Sequence, residues 1–252
     1  PLGADRQAAC RTAAGATGDS SGRRGQRYPP ALNVQAMTSW ARAEAVLVGL
    51  QRGLRQLYDL PPGPDVHRFL MTDRGQASRY VSLAEGLQEA LLIQQRGEDL
   101  DLSLYLDPQL LDELMSGRLH AGNLDAWLQA LEGVSHFELV VQRAQSGHPV
   151  SELELELQAE IDKFVWLERQ LHRQGRPAPR KLLLRWLFEQ PRLRENLDAQ
   201  QRWRYRTATQ LARAYCEGLD GGAALRGGLN RLRRFYRLTG ARKLRAAAAP
   251  AH

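Results

Sequence analysis

A mostly α-helical single domain, bundle-like and carrying one small β-hairpin, is the fold this sequence predicts. Apolar residues recur at helical spacing through nearly everything after Pro108. The spacing switches to strict alternation in one short stretch, "EALLIQQRGEDLDLSLYLD". Loops bearing proline or glycine, "DLPPGPD", "GRPAPRK" and "DGGAALRGG", cut the rest into pieces of helical length.

Taken in order, residues 1–36 are rich in Gly, Ala, Ser and Arg and show no periodic apolar pattern. They are expected to be a disordered extension, with Met37 as the natural start. From Ser39, read as an N-cap, Trp40, Val46, Leu47, Leu50, Leu54 and Leu57 describe a first helix that "DLPPGPD" stops. In the alternating stretch, Leu100, Leu102, Leu104 and Leu106 interleave with Asp101, Ser103, Tyr105 and Asp107, which is a hairpin strand with one buried face. Beyond it come a short helix in "DPQLLDELMSGRL", a longer one capped by Asn123, and another opened by a Ser151/Glu154 capping box. "LLLRWLFEQ", "LDAQQRWRYRTATQLARAYCEGL" and "LNRLRRFYRLTGARKL" complete a single domain over 37–245, with 246–252 as a disordered tail.

At 252 residues and 43% hydrophobic content the chain can bury a substantial core without disulfides, and it has only two cysteines, Cys10 and Cys216. That usage suits a reducing cytoplasm. The apolar runs "EAVLVGL" and "KLLLRWLF" fall far short of the roughly 20 residues of a membrane span. Charge is uneven. Residues 65–168 hold 7 basic and 19 acidic side chains, and residues 169–252 hold 20 basic and 5 acidic. Such halves neutralise each other by packing together, a reading favoured over a nucleic-acid surface.

The most informative feature is a pair of carboxylates on apolar stripes. Leu153, Leu157, Glu160, Phe164, Leu167 and Leu171 follow a 4-3-4-3-4 spacing, and Trp127, Leu131, Val134, Glu138 and Val141 follow the same rule. The turn between the two helices centres near His148, so an αα-hairpin places Glu138 and Glu160 at similar height. Two like charges in a poor dielectric require a proton, an arginine or a metal. Arg204, on a third stripe with Ala208, Leu211 and Tyr215, is the expected counter-ion, and Ser135 and Tyr215 are candidates to complete the cluster. Alternatively Glu138, Glu160 and His136 hold a metal. Glu132-x-x-x-His136 and Glu156-x-x-x-Glu160 are the nearest patterns to the Glu-x-x-His pairs of di-iron bundles, each one residue too long.

No phosphate-binding loop, nucleophile elbow or HExxH zinc motif occurs, and no motif calls for a cofactor. Arg226, Arg231, Arg233, Arg234 and Arg237 surround the stripe of the last helix and are candidate anion contacts, to RNA or an anionic surface. The segments "LHAGNLDAWLQALEGVSHFELVV", "SELELELQAEIDKFV", "YRTATQLARAYC" and "RFYRLTGARKL" resemble a conserved bacterial protein family over most of the chain after Met37. The resemblance brings no activity with it. The favoured function is therefore a cytoplasmic helical interaction or regulatory protein without catalysis, with an unspecified protein partner. A nucleic-acid binder using the basic half and a carboxylate-based metal protein or enzyme are the alternatives.

Overall fold

The computed structural model describes residues 11–12, 34–80, 86–97, 99–115, 119–189, 197–219 and 226–249. Within them the chain is mostly helical with one small sheet. A two-residue strand β1 (Arg11–Thr12) precedes the long helix α1 (Val34–Tyr58). A 3-10 turn (Val66–Phe69), strand β2 (Leu70–Met71) and one helical turn α2 (Arg74–Ala77) lead to the hairpin β3 (Glu89–Arg96) and β4 (Asp99–Leu106). Then follow α3 (Pro108–Met115), α4 (Leu124–Gln145) and α5 (Glu152–Arg173). Next is α6 (Arg180–Leu184), which widens into a π turn (Arg185–Glu189). Last come α7 (Ala199–Glu217), α8 (Arg226–Arg237) and α9 (Gly240–Ala248).

Three boundaries differ from the sequence reading. The helix expected from Ser39 begins at Val34, so Ser39 lies inside α1 rather than capping it, and the boundary expected at residue 36 falls within the same helix. At the other end α9 runs through residues 246–248, where a disordered tail was expected, because Ala247 is fully buried. Most of the remaining N-terminal extension, including Cys10, lies outside the described residues.

The hairpin is antiparallel in the register Glu89↔Leu106 to Arg96↔Asp99, and Gly97 takes the left-handed φ of 63° that its tight turn requires. Parallel pairings extend it to the order β1-β3-β4-β2. One face, with Leu91, Leu104 and Leu106, joins the main core. The other carries Ala90, Leu92 and Tyr105 against Ala77 and Leu87, so this end of the hairpin is covered on both sides rather than one.

Helix α4 is the axis of the molecule. Every residue from Leu128 to Val141 is buried, because α1, α3, α5 and the hairpin all pack against it. The αα-hairpin of α4 and α5 forms as expected. Gly147 turns the chain at φ 65°, the Ser151/Glu154 capping box closes the start of α5, and Trp127 stacks on Trp166 between the helices. Helix α7 packs on the far side of α5, and α9 bridges α7 and α5.

Candidate metal centre

A helix buried on all sides sends its polar side chains to different neighbours, and this separates the expected cluster. Glu138 faces α1. It accepts hydrogen bonds from Gln51 Nε2 at 2.5 Å and from Arg55 Nε and Nη2 at 3.1 and 2.9 Å, so its counter-ion is Arg55, not Arg204. Glu160 instead accepts from Lys163 Nζ at 2.6 Å, one turn along α5. Arg204 pairs with Glu152 and stands 3.7 Å from Glu156 Oε1. Ser135 donates to Asp162 Oδ2 at 2.6 Å, and Tyr215 donates to the Arg231 carbonyl at 3.2 Å while packing on Phe235. The metal set Glu138, Glu160 and His136 is likewise not assembled: Glu138 is engaged by α1, and His136 lies with other residues.

Those residues are Glu89 and Glu132. Glu89 opens β3 in phase with Leu91, so strand alternation turns its carboxylate toward α4. Glu132 and His136 lie one turn apart on α4 and so share a face. A carboxylate oxygen of each glutamate and a ring nitrogen of His136 lie within 4.8 Å of one another, and all three residues are buried. Gly133 makes the approach of strand to helix possible. A Cβ there would stand 2.6 Å from Leu104 Cδ1 and 2.8 Å from Glu89 Oε1. Helix α5 adds Glu156, whose Oε2 is 3.8 Å from His136 Nε2.

The electrostatics of this chamber follow from its burial. His136 is fully enclosed, and neither ring nitrogen has a hydrogen-bond partner. The backbone of Leu155 lies near enough to favour the proton slightly, without a bond of normal geometry. Burial, reinforced by the cations Lys163 and Arg204, pushes the imidazole down to about 3, so at neutral pH it is an uncharged base. Glu156 is pushed well up, first by burial and then by Glu132, while Arg204 and Lys163 act in the opposite direction. Lys163 pays a burial cost that Glu132 and Glu160 outweigh, and it stays an ammonium ion. Its Nζ reaches Glu132 Oε2 at 3.1 Å.

A neutral imidazole and two carboxylates are the donor set of a divalent first-row metal, which mixes nitrogen and hard oxygen ligands. Atoms sharing one such ion at about 2.0–2.2 Å stand roughly 3 Å apart, so the three side chains, whose ligand atoms lie within 4.8 Å of one another, would close in on a bound ion.

In the basic helix, three of the five candidate arginines are engaged within the chain. Arg233 donates to the carbonyls of Leu57 and Gln56 at 3.0 and 3.2 Å, and Arg237 reaches Asp59. Both therefore satisfy the last turn of α1, where carbonyls lack helical partners and a cation suits the helix dipole. Arg231 does the same for α7 through the carbonyl of Gly218, and its guanidinium lies over the Tyr215 ring. Arg234 is exposed, and of the Arg226 side chain nothing is described.

Glu89 was missed by sequence reading because nothing local connects a strand residue to a helix 43 positions later; the phase it shares with Leu91 was its only signal. Glu132, His136 and Glu156 were visible as members of i,i+4 pairs, but of these only His136 entered the expected metal set, beside Glu138 and Glu160. Compared with protein-family models, with curated proteins and with solved structures, the chain matches none.

Proposed function

We propose that this protein is a metal-binding helical protein, holding one divalent manganese, iron or zinc ion between the hairpin and the α4–α5 pair through Glu89, Glu132 and His136. The observation that carries the reading is His136: a fully buried imidazole, neutral at physiological pH, with two ring nitrogens lacking hydrogen-bond partners and two carboxylates beside it. Burying such a group without a partner costs about 1–3 kcal/mol, a cost that a metal–nitrogen bond removes. A core with no role for this side chain would be more stable with an apolar one. Glu156 lies within reach to complete the coordination.

A cytoplasmic setting accords with Cys216, a free and buried thiol. Among the described residues no helix is long and apolar enough to cross a membrane. Arg204 and Arg180 of the basic half pair with Glu152 and Glu168 of the acidic half, which supports self-complementation over nucleic-acid binding, while Arg231, Arg233 and Arg237 are engaged with backbone carbonyls at helix ends.

The test is stoichiometry. Chain stripped with a chelator and titrated with Mn(II), Fe(II) or Zn(II) is expected to take up one equivalent of at least one of these. His136→Ala and Glu89→Gln, each folded by circular dichroism, are expected to lose it. Absence of stoichiometric uptake of all three ions by the parent chain would overturn the proposal.

A further inference from the structure

Lysine is scarce in this chain. Of 35 basic residues only three are lysine, at positions 163, 181 and 243, so a lysine at a buried position is a departure from the prevailing arginine. Lys163 is 5% exposed and stands inside the candidate centre. Its Nζ bridges Glu132 Oε2 at 3.1 Å and Glu160 Oε1 at 2.6 Å, tying α4 to α5. Glu132 thus takes part in two arrangements. One is the group formed with Glu89 and His136, and the other is the ion pair with Lys163.

A carboxylate shared by two cations is the element that holds dinuclear centres together, with ions about 3.5–4 Å apart. Of the two basic side chains, only lysine offers a compact point charge that can take an ion's place between two carboxylates. A planar guanidinium is larger and binds by a directed fork. We infer that the Lys163 ammonium fills the position of a second metal ion, and that removing it opens a second divalent-cation site between Glu132 and Glu160, with Glu156 alongside. The inference rests on the metal reading above and specifies that centre further: one ion, one internal cation, bridged by Glu132. Glu132 and Glu160 contact that position directly, and Glu156, one turn from Glu160 on α5, acts on it electrostatically.

The experiment loads the parent chain, Lys163→Gln and Lys163→Arg with Mn(II), counts bound metal by mass spectrometry and records the electron paramagnetic resonance spectrum. The parent and Lys163→Arg are expected to bind one ion with the six-line signal of isolated Mn(II). Lys163→Gln is expected to bind two, with the broadened, exchange-coupled spectrum of ions sharing a bridge. A purely structural ion pair predicts one isolated ion in every chain. One ion in Lys163→Gln, two uncoupled ions, or a Lys163→Gln chain that stays unfolded in excess Mn(II) overturns the inference and leaves the metal reading standing. Two ions in the parent overturn it as well. No Mn(II) in the parent overturns it too, and the metal reading falls with it when Fe(II) and Zn(II) are also refused.

Discussion

Lys243 shows at single-residue scale what burial without a partner does. Its Nζ is fully buried with no hydrogen bond and lies 5.2 and 5.3 Å from the rings of Phe235 and Tyr236. Burial and then Arg143 push its pKa down to about 7, against the opposing pull of Asp162 and Glu154. The sign of the linkage is set by the unfolded chain, which keeps the proton up to about 10.5, whereas the folded chain releases it above about 7. Stability therefore falls as pH drops from 10.5 to 7 and loses nothing more from this group below that. The full window is worth roughly 4–5 kcal/mol at most. Lys243→Met removes the penalty, and its melting temperature at pH 6.5 is expected to exceed the parent's by about 5 °C or more. The gain should shrink toward pH 10. A variant that melts lower than the parent at pH 6.5 contradicts this account of the amine.

At the scale of elements, the decisive contact is that of the hairpin with α4 at Gly133. In an isolated helix Gly→Ala stabilises by about 1 kcal/mol. Here the added methyl meets Leu104 and Glu89 at 2.6 and 2.8 Å, so strand and helix must separate or the side chains must turn aside. Overpacking of this kind costs about 1–3 kcal/mol and outweighs the propensity gain. Gly133→Ala is expected to melt lower than the parent and, because Glu89 is displaced, to bind metal more weakly. A rise in melting temperature with metal binding intact would show that the approach is not tight.

The elements themselves were largely legible in the sequence: the hairpin, the α4–α5 pair and the Ser151 capping box each follow from a local pattern of residues. The site was legible only in part. Seam reasoning assumes that a helix has one apolar face and one wet face, and under that assumption Glu138 and Glu160 had to meet. Helix α4 has no wet face over fourteen consecutive residues, from Leu128 to Val141. Its carboxylates are therefore sorted among α1, α5 and the sheet, an arrangement set by tertiary packing that no i,i+4 rule contains. Arg55 as the partner of Glu138, Asp162 as the partner of Ser135, and Glu89 opposite His136 all belong to that level.

Across the whole molecule, cations are taken up by helix ends and by buried ion pairs, and Arg204 with Glu152 and Arg180 with Glu168 join the basic half to the acidic one. Arginines of α8 close α1 and α7, Arg204 of α7 faces the glutamates of α5, and Lys163 joins α5 to α4. What remains at the centre is a neutral imidazole among carboxylates, enclosed by a sheet and the central helices. The proposed centre requires that imidazole to be a ligand. Pulsed electron paramagnetic resonance of the Mn(II)-loaded chain tests it most directly, because a coordinated nitrogen modulates the electron spin echo. The prediction is a nitrogen modulation in the parent that shifts with nitrogen-15 histidine labelling and is absent in any Mn(II) bound by His136→Ala. Bound Mn(II) with no nitrogen coupling in the parent, or an unchanged coupling in His136→Ala, would contradict it.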